Sequence, residues 1–225
     1  MIDKRNIAVN SILNNKRTLS AFLIVFYLVG VVGTLMPYTS VLFFKLIPFA
    51  LLMSFGILTI FHEGSVNRNG IICFITIYLV SFFVEVIGVN TGFIFGNYNY
   101  GNSLGLKLFQ TPLLIGINWI FLVYTTASVM ERFKMPVFAK IGLASVLMLI
   151  YDIVMEQIAP MLQMWRWEND VIPFQNYVSW YALAVLFHLL LKIANVKIQN
   201  KFAPIILICQ FMFFLLILIV NRLIL

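Results

Sequence analysis

The sequence predicts an all-α protein embedded in a lipid bilayer, and three observations predict it. Of 225 residues, 62% are hydrophobic and only 10% are charged, against about 25% charged in a soluble domain. The mean hydropathy is +1.01. The apolar residues fall into seven runs, at 19–36, 41–61, 71–89, 112–131, 136–158, 176–194 and 203–222, each near the roughly 20 residues a spanning helix needs. No long linker or internal repeat separates them, so residues 1–225 read as one polytopic membrane domain.

The first run, TLSAFLIVFYLVGVVGTLM, follows a 17-residue lead and precedes no A-x-A-like cleavage site. It is expected to be a retained helix rather than a signal peptide. The third run carries Glu85 near its end, and the fifth carries Asp152 and Glu156. Pro173 stops the chain before the sixth run, with Asn176 as the expected N-cap. The seventh has no lysine between Phe202 and Val220, which argues against a retinal-binding seven-helix protein.

The net charge is +7, yet the basic residues form no nucleic-acid-binding tract. They sit in short groups between apolar runs, as membrane topology requires. With the N-terminus in the cytoplasm, the inner side holds Lys4, Arg5, Lys16, Arg17, Arg68, Arg132, Lys134, Lys140, Lys192, Lys197 and Lys201, and the outer side holds Lys45, Lys107, Arg166 and Arg222. Eleven against four predicts an N-in, C-out protein of the cell (inner, cytoplasmic) membrane. Two aromatic-rich loops, about 90–111 and 159–175, then lie outside, and all four tryptophans belong to the outer half.

Three of the eight acids, Glu85, Asp152 and Glu156, lie within apolar runs. A carboxylate at such depth costs about 2.5–3.5 kcal/mol even on insertion scales, which makes each a functional candidate. The topology gathers them at the outer side. Asp152 and Glu156 are four residues apart, on one helix face with Cβ atoms about 5–6 Å apart. Such a pair is expected to hold a proton between its members, giving a donor beside an acceptor. The plain alternative is structural: helix capping, or pairing with Arg166. His62 reads as a solvated loop residue and His188 as a packing residue. Cys73 and Cys209 read as small core or lipid-facing side chains, and no spacing predicts a metal site.

In the first outer loop the aromatics alternate at Phe93 and Phe95, then at Tyr98 and Tyr100, around Gly96-Asn97. This pattern reads as two short extended arms about a turn, a cover over the acids; the alternatives are a plain polar-aromatic connector at the headgroups and a helix continued along the small-xxx-small spacing of Gly88, Gly92 and Gly96. In the second, Trp165 and Trp167 flank Arg166. Aromatic faces beside buried acids suit chemistry that passes through a cation, which each ring stabilises by about 0.5–2 kcal/mol.

The stretch holding Glu85, Gly88, Thr91, Gly92, Phe95, Gly96, Tyr98 and Tyr100 resembles the signature of the membrane carotenoid hydratases, the CruF-type and bisanhydrobacterioruberin hydratases. A second block resembles it in Asp152, Glu156, Trp165, Trp167, Pro173, Asn176 and Trp180, with Pro112 and Trp119 between. The likeness spans about residues 71–181. Ile94, Gln157 and Ser179 depart from the pattern where the family has proline, proline and glycine.

The resemblance implies addition of water, without a redox cofactor, to the terminal double bond of an acyclic carotenoid end such as that of gamma-carotene or lycopene. Asp152 and Glu156 are then expected as the acid/base pair and Glu85 as a third acid. Asn90, Thr91, Tyr98, Tyr100 and Asn176 are expected to hold water, and Phe95, Trp119, Trp165, Trp167 and Trp180 to face the substrate. A lycopene cyclase shares the alkene protonation. A transporter is the non-enzymatic rival, although acids clustered at one side suit a site better than a path.

Overall fold

The computed structural model describes residues 16–64 and 67–224. The N-terminal lead, with Asp3, Lys4 and Arg5, lies outside the described residues. Among the described residues seven helices follow one another: α1 (Lys16–Leu35), α2 (Ser40–Ile60), α3 (Arg68–Thr91), α4 (Leu114–Met130), α5 (Val137–Glu156), α6 (Phe174–Ile193) and α7 (Ala203–Ile224). Six are long and apolar enough to cross a bilayer, and α4 is shorter, at 17 residues.

The short helix is the centre of the bundle. Thirteen of its 17 residues are buried, and it packs against α2, α3, α5, α6 and α7. A helix enclosed by protein on every side needs no polar face, which is why its sequence carries no amphipathic pattern. The outer helices instead expose large apolar side chains such as Val25, Phe49, Ile71 and Leu186. In water that surface would be a large penalty, whereas against lipid tails it is neutral. The chain is therefore a multi-pass membrane protein.

At one end of the bundle, polar ties join the helix termini. His62 Nδ1 lies 2.7 Å from the Tyr124 hydroxyl, and Asn200 Nδ2 donates to the Leu58 carbonyl (2.8 Å). His62 is thus half-buried and bonded rather than solvated, because the loop after α2 folds onto the end of α4. His188 packs as expected, with Nε2 3.0 Å from the Thr126 hydroxyl.

The other end carries the two long connections. Helix α3 stops at Thr91, where Gly92 takes a left-handed conformation (φ 67°) and donates its N–H to the Gly88 carbonyl (2.8 Å). Only glycine takes that backbone without strain. The expected hairpin between Phe93–Phe95 and Tyr98–Tyr100 does not form. Strand β1 (Tyr98–Tyr100) pairs instead with β4 (Trp165–Trp167) of the other loop, antiparallel, with Tyr98 opposite Trp167 and Tyr100 opposite Trp165. The Phe93–Ile94 carbonyls are taken by the Gln175 and Ser179 side chains of α6, which fold that segment onto the bundle. Past the ribbon, Gly101 lies so close to the Gln163 carbonyl that an added Cβ would meet it at 2.1 Å.

Strands β2 (Lys107–Leu108) and β3 (Thr111–Pro112) form a hairpin through a two-residue turn. This takes Pro112 out of the fourth helix, where the sequence had placed its start. Both turn residues, Phe109 (φ 51°) and Gln110 (φ 65°), are left-handed. Asn-Gly suits such a turn and Phe-Gln does not. Asn90 holds it from the end of α3: its Nδ2 donates to the Phe109 carbonyl (3.2 Å) and its Oδ1 accepts from Gln110 Nε2 (3.2 Å). Replacing Phe109 by Asn and Gln110 by Gly is expected to stabilise the protein by about 1 kcal/mol. The readout is a higher midpoint of thermal unfolding in detergent, and an unchanged or lower midpoint would refute strain at this turn.

Candidate active site

The β1–β4 ribbon explains why the two aromatic loops look alike. In a strand, alternate side chains face opposite ways. Both Tyr-Asn-Tyr and Trp-Arg-Trp therefore present two rings to one face and a polar residue to the other. Tyr98, Trp165 and Trp167 are buried, Tyr100 is half-buried, and Asn99 and Arg166 are exposed. The outward Arg166 pairs with Asp170 (2.7 and 3.1 Å), which holds the Asp170 carboxyl below its ordinary range. It does not pair with the buried acids.

The inward rings meet those acids. Tyr98 and Tyr100 each donate to Glu85 Oε2 at 2.7 Å, and Trp119 Nε1 donates to Glu85 Oε1 at 3.2 Å. Trp165 and Trp167 donate to Glu156 Oε2 at 2.8 and 2.6 Å. Asn176 bridges, its Nδ2 donating to Glu156 Oε1 (3.1 Å) and Asp152 Oδ2 (3.2 Å). Asn176 thus lies inside α6 and faces the acids. The N-cap position is Pro173 instead, three residues before the cap that the sequence predicts, and the helix begins at Phe174.

The three carboxyls differ in what meets them. Glu85 and Glu156 each accept three hydrogen bonds. Hydrogen bonds to a charged group are worth about 1.5–3 kcal/mol each, so three offset the several kcal/mol of burying a charge. Both are fitted to hold a carboxylate. Asp152 is fully buried with one donor, and its Oδ1 has no partner among the described residues; such a group suits the acid form. Burial, then the charge of Glu85, pushes the Tyr98 and Tyr100 hydroxyls above the ordinary phenol range, so both stay protonated donors.

Between Glu85 and Glu156 lies a chamber of about 20 Å³, walled by Phe95, Tyr98, Tyr100, Trp167 and Trp180 among others. Trp180 stacks on Trp119, ring centres 4.3 Å apart. Asp152 sits one helical turn deeper, outside the chamber wall. A larger, apolar cavity of about 290 Å³ abuts the chamber, and Ile115 and Trp165 line both.

Thus the structure places Glu85, Phe95, Tyr98, Tyr100, Glu156, Trp165, Trp167, Asn176 and Trp180 around one chamber, with Asp152 and Trp119 directly behind. Two of the sequence-selected residues point elsewhere. Asn90 clamps the β2–β3 turn, and Thr91 bonds the Ile87 carbonyl (2.6 Å) on the exposed end of α3. The sequence reading missed Ile115 as a shared wall, since one isoleucine in an apolar helix carries no signal. Among the described residues no cluster of His, Cys, Asp and Glu could hold a metal ion.

These features define a class: a helical, multi-pass membrane protein with carboxylates sealed under an aromatic cover at one end of its bundle. The chain matches the family described as carotenoid biosynthesis protein over residues 40–225, and it belongs to that family. The match spans α2 through α7 and includes all three acids. No curated protein and no solved structure matches the chain. The protein is accordingly a biosynthetic enzyme of carotenoid formation.

Trp165→Phe and Trp167→Phe keep an aromatic ring but remove an N–H from Glu156. Each is expected to lower turnover about tenfold to hundredfold, measured as product formed per mass of protein. Asn99→Ala, on the outward face of the same ribbon, is expected to leave turnover unchanged.

Proposed function

We propose that the protein hydrates the terminal carbon–carbon double bond of an acyclic carotenoid end, such as that of lycopene or gamma-carotene, giving a tertiary alcohol. The observation that carries this reading is the chamber between Glu85 and Glu156. At about 20 Å³ it has room for about one water, with acceptors on opposite walls. Ring closure would require the polyene end to fold back into this space, whereas hydration requires one water there.

The chemistry follows from the hydrogen bonds. The Asp152–Glu156 pair, joined by Asn176, holds one proton. At rest that proton sits on Asp152; it passes to Glu156, the member of the pair that reaches the chamber, and Glu156 delivers it to the alkene carbon bearing a hydrogen. The π pair forms the new C–H bond, and a cation remains on the carbon bearing two methyl groups. The chamber water adds its oxygen to that carbon. Glu85, fixed as an acceptor by Tyr98, Tyr100 and Trp119, takes the proton the water loses. A further water returns it to the pair, so the net change is one H2O added, with no oxidation or reduction. The rings of Phe95, Trp165, Trp167 and Trp180 face the transient cation and exclude other nucleophiles. The alkene end approaches from the larger cavity, past Ile115 and Trp165. The acid end of the bundle faces the outside of the cytoplasmic membrane, as the distribution of basic residues favours.

The test is expression in a lycopene-producing host with chromatography and mass spectrometry of the pigments. The expected product gains the mass of one water per reacted end. A product of unchanged mass with a shortened chromophore would identify a cyclase and overturn the reading. Glu156→Gln and Glu85→Gln are expected to reduce product at least a hundredfold, on the scale of general acid–base catalysis. Asp152→Asn is expected to reduce it about tenfold or more. Full product from all three variants would refute the acid/base assignment.

A further inference from the structure

The cavity that abuts the acid chamber is a groove between α1, α2, α4 and α7, closed at one end by Trp165 and Met164. Its lining is almost wholly apolar; the polar residues on it are Tyr27, Thr34, Asn118 and Gln210. Its mouth carries Val29, Leu46 and Phe49, all exposed on the lipid-facing surface. A hydrocarbon dissolved in the bilayer reaches this groove sideways without crossing water. The far end meets the chamber at Ile115 and Trp165. A linear polyene seated here therefore points its end at Glu85 and Glu156.

One feature of the groove does not fit a pure hydrocarbon. Gln210 is occupied, accepting from the Tyr27 hydroxyl (3.2 Å) and donating to the Tyr151 hydroxyl (2.8 Å), and Tyr27 also bonds Ser54 (2.8 Å). Asn118 is not. It is 9% exposed, lines the groove, and its carboxamide has no hydrogen-bond partner among the described residues. It lies three residues from Ile115, on the same face of α4. A nearly buried amide left unpaired is costly, so its partner is expected from the groove's contents. The polyene offers none. The hydrated end does: as it withdraws past Ile115, its new hydroxyl comes level with Asn118.

We propose that this groove binds the polyene and that Asn118 is the hydrogen-bond partner of the tertiary hydroxyl on the hydrated end. The inference rests on the hydratase reading for the identity of that oxygen. The groove then discriminates between product and substrate by one hydrogen bond.

The experiment uses full-length protein in lipid nanodiscs, with binding read as quenching of tryptophan fluorescence by lycopene and by its 1-hydroxy-1,2-dihydro derivative. Wild type is expected to bind the hydroxylated pigment about tenfold more tightly than lycopene, and Asn118→Leu to lose that preference while keeping lycopene binding. Ala50→Trp and Leu46→Trp, which fill the groove, are expected to weaken both pigments about tenfold or more. Their elution volume and unfolding midpoint are compared with wild type to show that they fold. Folded groove-filling variants that bind both pigments as wild type does would overturn the site. An unchanged preference in Asn118→Leu would overturn the role of Asn118. Hydration itself is followed separately by mass, so wild-type protein that binds with the expected preference but adds no water would sink the hydratase reading alone.

Discussion

The acid-bearing end of this protein is organised by the need to answer three carboxyl groups that the chain places inside an apolar bundle. No basic side chain reaches Glu85, Asp152 or Glu156 in the described structure; Arg166 turns outward to Asp170. The acids must therefore be satisfied by neutral donors, and water cannot serve as the general donor at that depth. Phenol and indole groups meet the requirement in an unusual way. Each brings an O–H or N–H to a carboxylate and a large apolar body to the packing around it. The ribbon of Tyr98–Tyr100 and Trp165–Trp167 concentrates four of them on one face. The loop conformations follow from that. The Gly92 turn, the close approach of Gly101 to Gln163 and the docking of Phe93–Ile94 on α6 all bring two three-residue strands over two glutamates.

The sequence makes the helices legible because lipid imposes a length and a composition that few other contexts do. The run of apolar residues around Glu85 could only be a span, and an acid within it could only be costly. The common side of the three acids also followed from counting helices. The pairing of the loops did not. Tyr-Asn-Tyr and Trp-Arg-Trp lie 67 residues apart, and a three-residue strand has too little periodicity to name its partner. The matched aromatic–polar–aromatic triplets were the available signal, since paired strands that share a buried face must alternate together. Asn176 was misread for a related reason. Asparagine near a proline is a good N-cap in isolation, and only the acids on the neighbouring helix explain why it faces inward within the first turn of α6. Asn90 was expected to hold water, whereas the strained Phe109-Gln110 turn claims it.

The same donors bear on the direction of the chemistry. A carboxylate held by three fixed hydrogen bonds is positioned but not neutralised, as it would be by a nearby lysine or arginine. A cation formed in the chamber would therefore meet two sources of negative potential: the ring faces and the carboxylates themselves. Basic residues there would oppose it. Among the described residues no basic side chain lines the chamber, as a site for carbocation chemistry requires, whereas aromatic rings alone would also suit an interfacial belt.

Cation chemistry in a lipid-embedded site also has to solve a partitioning problem. On the hydratase reading, the substrate would be a hydrocarbon that belongs in the membrane, and the co-substrate would be water, which does not. Two adjoining cavities of opposite character resolve it. The groove opens to the lipid side and is apolar, and the chamber is small, walled by aromatic rings and furnished with acceptors. Ile115 and Trp165 line both, so on that reading the two reactants would meet at these two side chains. Trp165 is both part of that wall and a hydrogen-bond donor to Glu156. A substrate end that displaced the indole would release Glu156 from one of its three donors, which favours its protonated form and would draw the pair's proton onto the member that lines the chamber. Substrate arrival and the availability of the acid are then coupled through one side chain, and water left in the chamber without substrate faces a glutamate that remains fully bonded.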